Sequence, residues 1–251
     1  MINFRGYLND WWHALRHHWR VGDSVVTWVI VALCTVIWLV EVILRNLSPL
    51  AFSWLITNGA FMPALAVAKP WTWLTSMFLH APNFTHVLFN MLTLIVIGPF
   101  MEGLMGHWCF LALYLMCGLG GADGLMVYSA LTNDWFISAY GASDALFGLF
   151  AAVLIVGRHT TGMDVRGMAV CIAINFAMPL VIPNIAWQSH VGGFVVGLVY
   201  TWLLLDGVPA LRRRSLPVRI AVYGVPMALL LVGLALMPFA SGGGLIAGLG
   251  H

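Results

Sequence analysis

The chain has 251 residues, a net charge of +2, 61% hydrophobic residues and only 8% charged ones, and its mean hydropathy is +0.94. Soluble domains carry roughly a quarter charged residues, so this composition excludes an ordinary soluble protein, and the small net charge argues against a nucleic-acid partner. There is room for several membrane-spanning helices at ~20 residues each.

Residues 1–24 hold Trp11, Trp12, Arg16, His17, His18, Trp19 and Arg20. They read as a cytoplasmic or interfacial segment, either amphipathic or a solvated tail with aromatic anchors. They lack the short apolar core of a cleavable signal peptide. A first span is expected at about Val25–Leu44, ending at Arg45. The connection from about Asn46 to Pro82 contains Pro49, Pro63 and Pro70 among several aromatics. It is too interrupted to span and too apolar for a free loop, which places it in or on the interface. Further spans follow at about Phe84–Phe100, Trp108–Tyr128, Ser143–Gly157, Gly167–Ile182, Ser189–Leu205 and Ile220–Phe239. The expected fold is therefore an all-α polytopic membrane protein of seven helices. Residues 25–205 form a six-helix core, and residues 206–251 a basic linker, an extra transmembrane helix and a flexible Gly-rich tail from Ser241. Cys34, Cys109, Cys117 and Cys171 lie in apolar runs without metal-type spacing and read as reduced packing residues.

Counting Lys and Arg by segment orients the chain. With the N-terminus inside, the inner segments hold Arg5, Arg16, Arg20, Arg158, Arg166, Arg212, Arg213, Arg214 and Arg219, against only Arg45 and Lys69 outside. This bias favours N-terminus in and C-terminus out. The second, fourth and sixth spans then run inward, and His86, Ser143 and His190 all fall near outer ends. From Ser143 to Arg158 is about 15 residues, or roughly 22 Å of helix, against a hydrocarbon core of about 30 Å. Ser143 is thus expected below the outer surface, reached by water through an outward-opening cavity.

Polar residues are costly at membrane depth and mark functional sites. A serine hydroxyl is a weak nucleophile until a base such as histidine takes its proton. Gly148, Ala151 and Ala152 on the fourth span, and Gly193 and Gly197 on the sixth, let those helices approach closely, bringing Ser143 toward His190. His86 and Asn90 are four apart, so they share one helical face. Both can donate hydrogen bonds to a developing oxyanion. His80 is expected only to order the first connection.

These residues resemble the motifs of the rhomboid intramembrane serine proteases over roughly Trp71 to Tyr200. The likeness rests on His86-x-x-x-Asn90, on Gly141-Ala142-Ser143, and on His190-x-x-Gly193-x-x-x-Gly197. Glu102, Gly106 and Tyr114 resemble the family's junction between the second and third helices. The resemblance implies a rhomboid-like six-helix core and a catalytic Ser143–His190 dyad without a third acidic member. It implies an oxyanion site formed by His86, Asn90 and the Ser143 backbone N–H, with Phe147 against the histidine ring. Neither a cofactor nor a metal is implied. The implied partners are the lipid bilayer and membrane-protein substrates with a transmembrane helix, cut near the outer face of what is expected to be a bacterial cell membrane. No oligomeric state follows from the sequence.

One position departs from the family pattern: Asp144 follows the serine where relatives usually have glycine. Near a helix N-terminus its charge is expected to be screened by water and to cap exposed N–H groups, while opposing the oxyanion. A Trp-Arg pair common in the first connection is also missing; Trp71-Thr72 stands nearest. Two alternatives accompany the protease reading. One is a catalytically weak or inactive rhomboid-like protein that binds membrane helices, and the other a permease using His80, His86 and His190.

Overall fold

A chain in hydrocarbon must satisfy its own backbone N–H and C=O groups, and in the computed structural model the long apolar stretches, among the described residues, fold as helices. The structure describes residues 23–81, 83–160, 165–177 and 186–240. In chain order the helices are α1 (Val25–Leu47), α2 (Pro49–Gly59), α3 (Thr72–Thr75), α4 (Phe84–Met105), α5 (His107–Thr132), α6 (Ser143–His159), α7 (Val165–Ala177), α8 (Trp187–Asp206), α9 (Pro209–Arg212) and α10 (Leu216–Ala240). Among the described residues the extended pairing is a lone antiparallel bridge between Phe61 and Ala139. Of the segment expected at residues 1–24, residues 1–22 lie outside the described residues, as does the Gly-rich tail from Ser241.

Helices α1, α4, α5, α8 and α10 are long and apolar enough to cross a bilayer. The fourth apolar run forms the 17-residue α6. The fifth forms α7, whose described part has 13 residues; the remainder of the expected span, toward Ile182, lies outside the described residues. The first connection folds into α2, a 3-10 turn at Pro63–Leu65 and α3. Pro49 occupies the opening turn of α2, and the Ser48 side chain accepts the Ala51 N–H there, the usual division of labour at a helix start.

Helix α6 lies at the centre. Every residue from Ala145 to Val153 is buried, as expected of a helix that is apolar on all sides. Its neighbours approach closely because their contacts are glycine. A Cβ at Gly197 on α8 would strike the Gly148 carbonyl of α6, and one at Gly192 would strike the Gly120 carbonyl of α5. Lipid supplies no hydrophobic drive for helix association, so such backbone proximity and its dispersion contacts hold the bundle together.

Two buried carboxylates tie the elements vertically. Glu102, near the end of α4 and 1% exposed, accepts from the Val26 and Thr27 N–H groups at 2.8 Å and from Thr27 Oγ1 at 2.7 Å. His107 Nδ1 also bonds this carboxylate. An anion thus satisfies N–H groups of the α1 N-terminus that have no partner within the helix. Glu41, fully buried on α1, accepts the His80 N–H on both oxygens at 3.1 Å. Cys34, Cys109 and Cys117 are buried and unpaired, while the Cys171 side chain is outside those described.

Helix α10 packs on α5 and α8. Tyr200 Oη donates to the Ile220 carbonyl at 2.8 Å and Tyr223 Oη accepts the Val208 N–H at 2.8 Å. At its far end Phe239 meets Trp135 with ring centroids 6.0 Å apart.

Candidate active site

Ser143 opens α6, and the turn before it is held from both sides. Gly141 has φ +145, a region that L side chains rarely adopt. A Cβ there would also press on the His86 ring at 3.2 Å. The Gly141 N–H donates to the Ser76 carbonyl at 2.9 Å, while Ala139 exchanges backbone bonds with Phe61 at 2.9 and 3.0 Å. The segment presenting Ser143 is thereby laced to the first connection.

His190 lies in the first turn of α8, 8% exposed, with Nε2 3.0 Å from Ser143 Oγ. That is the distance a base needs to take the hydroxyl proton. The Phe147 ring stacks on His190, centroids 4.3 Å apart and planes at 13°, which fixes the orientation of the imidazole. Phe176 of α7 closes on Phe147 edge-on at 4.5 Å. His190 Nδ1 is buried with no hydrogen-bond partner among the described residues. Gly193 and Gly197 lie on the α8 face against α6, where a Cβ at Gly193 would strike the Asp144 carbonyl.

On α4, Asn83 caps the helix by accepting the His86 N–H at 2.8 Å. His86 Nδ1 is bonded by the Ala81 N–H at 3.1 Å. The other edge of the ring faces Gly141, where a Cβ would lie 3.2 Å from Nε2 and 3.4 Å from Ser143 Oγ. Asn90 behaves differently: its Nδ2 donates to the His86 carbonyl at 3.0 Å, a bond within its own helix. The structure thus brings His86 to the serine turn, whereas the described bond of Asn90 does not reach it. His80 sits 5.4 Å from His86, centroid to centroid. Burial, reinforced by the neighbouring His86, pushes its imidazole pKa down to about 3.

Asp144 corrects an expectation. No side chain caps the N-terminus of α6, and the Asp144 side chain is only 13% exposed. Its Oδ1 accepts from Ser189 Oγ at 2.7 Å and stands 3.9 Å from His190 Nε2. The water screening expected for it is largely missing because Gly121 of α5 packs directly on this side chain. Ser189 and the α5 glycines Gly120, Gly121 and Gly124 went unread in the sequence. The serine next to His190 and the Gly120-Gly121-Ala122-Asp123-Gly124 run were the available signals.

Two apolar grooves open elsewhere. One of about 520 Å³ lies between α1 and the first connection, lined by residues such as Val36, Trp54 and Trp71. The other, about 440 Å³, lies between α5 and α10. Neither is lined by Ser143 or His190; the candidate site is marked by its hydrogen-bond geometry.

Among the described residues the protein is a helical bundle with a serine–histidine contact between two of its central helices, α6 and α8. The rhomboid domain profile matches residues 67–207, more than half of the chain, and the chain belongs to the rhomboid family. It is 31% identical over 137 residues to rhomboid protease GluP of Bacillus subtilis, covering 53% of this chain and 26% of that protein. It is 33% identical over 144 residues to Rhomboid-type serine protease 2 of Emericella nidulans, covering 55% and 27%. YdcA of Bacillus subtilis is 28% identical over 190 residues, 72% of this chain and 89% of that one. The match thus spans about a quarter of the length of the first two relatives.

Proposed function

We propose that this protein is a serine endopeptidase that cuts peptide bonds in or next to transmembrane segments, with Ser143 as nucleophile and His190 as its base. The observation that carries this reading is the 3.0 Å contact between Ser143 Oγ and His190 Nε2 in a family whose named relatives include serine proteases. The serine oxygen attacks the scissile carbonyl carbon as its proton passes to Nε2. The resulting oxyanion is met by the Ser143 N–H, which as a first-turn group has no partner four residues back. His86 donates from α4, and Asn90 joins once its amide turns from the His86 carbonyl. Collapse expels the amine, which takes its proton from His190, and water then releases the acyl group by the reverse sequence. No metal or cofactor enters this chemistry.

The substrates of this reading are membrane proteins whose spanning helix unwinds near the outer face, because a backbone held in its own helical hydrogen bonds cannot present a carbonyl for attack. Purified protein in lipid, offered a panel of single-span substrates, tests it. Ser143→Ala and His190→Ala should each lower turnover by about 10⁴-fold or more, with unchanged melting temperature. Substantial cleavage by Ser143→Ala sinks the reading. Wild-type protein that captures the substrates without cutting them would favour the inactive rhomboid-like alternative.

A further inference from the structure

Asp144 and Ser189 are each one step from the reacting pair: Asp144 follows Ser143 on α6, and Ser189 precedes His190 on α8. Their side chains meet at 2.7 Å. Ser189 Oγ is also 2.7 Å from the Ala186 carbonyl, so its single hydroxyl hydrogen is shared between two acceptors. Glycines make the space: a Cβ at Gly121 would lie 2.9 Å from Asp144 Oδ2. Across this tie, Asp144 Oδ1 is 3.9 Å from His190 Nε2, the nitrogen that holds the Ser143 hydroxyl. The other nitrogen, Nδ1, is buried without a partner among the described residues. Asp144 is thus a carboxylate within reach of the positive charge that arises on this base.

We propose that Asp144 is the counter-ion of this site: a positioning carboxylate that registers α6 against α8 through Ser189 and offsets the positive charge arising on His190. The inference rests on the serine-protease reading above. In the step concerned, the Ser143 Oγ–H bond breaks and an Nε2–H bond forms on His190. The Oγ electron pair forms the bond to the substrate carbonyl carbon, and the C=O π pair moves onto oxygen. Neutral reactants become an imidazolium and an oxyanion, while Asp144 is unchanged. Its carboxylate attracts the first and repels the second. Geometry favours the attraction, because Ser189 holds the carboxylate toward α8 whereas His86 approaches the serine turn from α4, at Gly141. An opposite charge within ~4–6 Å favours the protonated base; one pKa unit corresponds to about tenfold in the protonation equilibrium, of which the rate carries a part.

The test compares Asp144→Asn with Ser189→Ala in the full chain in lipid. Two readouts are used: substrate cleavage, and the labelling rate of Ser143 by a fluorophosphonate, which needs no peptide. Asparagine keeps the shape and an acceptor for Ser189 but removes the charge; Ser189→Ala keeps the charge and removes the tie. Asp144→Asn is expected to lower kcat and labelling rate about tenfold with KM within about twofold of wild type. Ser189→Ala is expected to lose no more than about threefold, the smaller effect of a neutral hydrogen bond. If Asp144→Asn melts earlier than wild type, Asp144→Ser, neutral and smaller than its site, carries the same expectation. Asp144→Asn within twofold of wild type in both readouts overturns the proposal, and identifies Asp144 as a neutral acid donating to Ser189. Equal losses in Asp144→Asn and Ser189→Ala overturn it in favour of a purely structural tie. Should wild type be labelled yet cleave no membrane substrate, the protease reading fails while the ratio of labelling rates still decides the role of Asp144.

Discussion

His86 and Asn90 share a face of α4, yet their hydrogen bonds differ, and so do their expected effects. The Ala81 N–H can only donate, so His86 Nδ1 accepts from it; the neutral ring then carries its proton on Nε2, the edge that faces the serine turn. That donor is preorganised, whereas Asn90 must give up the His86 carbonyl. Removing an oxyanion donor costs about 100- to 1,000-fold in turnover. His86→Ala is expected within that range and Asn90→Ala below it, both with KM nearly constant; steady-state kinetics that show a rise in KM alone would remove both from the oxyanion. The Ser143–His190 contact and the approach of His86 to the serine turn agree with what their spacing led one to expect, whereas Asn90 is bonded within its own helix. The environment of Asp144 was not legible in the sequence, since its neighbours Gly121 and Ser189 are distant in the chain and come together only when α5, α6 and α8 close.

At the scale of elements, the glycines of α8 decide how near the two reacting helices stand. Gly197→Val would push its side chain into the Gly148 carbonyl, and overpacking of this kind costs about 1–3 kcal/mol. A lower melting temperature is expected together with a fall in kcat, because spreading α6 and α8 lengthens the Ser143–His190 contact. Loss of stability with full turnover would separate the packing from the chemistry. The apolar runs that became α1, α4, α5, α6, α8 and α10 were readable from length and composition alone. Helices α2 and α3 were not, because the prolines and aromatics of that connection impose no clear period. The tie at Glu102, near the end of α4, rests on a motif whose residues could be named from sequence, although its acceptor role toward Val26 and Thr27 needed α1 beside α4.

For the whole molecule, the charge count remains the basis of orientation. We propose that the N-terminus and the Arg212–Arg214 turn lie inside, with the residues before Ser143 outside. Impermeant thiol reagents applied to intact cells should label Asn133→Cys and leave Arg213→Cys unlabelled until the membrane is opened. The reverse pattern would invert the protein and put the serine at the inner face.

The contact of Phe239 with Trp135 joins the last helix to the segment that runs directly into Gly141 and Ser143. Phe239 lies beyond residues 67–207, the stretch shared with the family. Trp135 is 4% exposed, and its carbonyl accepts the Ala64 N–H, so the same residue bridges α10 and the first connection. A chain trimmed at the boundary of family likeness would retain every residue of the reacting pair and still lose one wall of the frame that aims it. Sequence comparison delimits what is common among relatives; the packed frame around the serine turn extends beyond it.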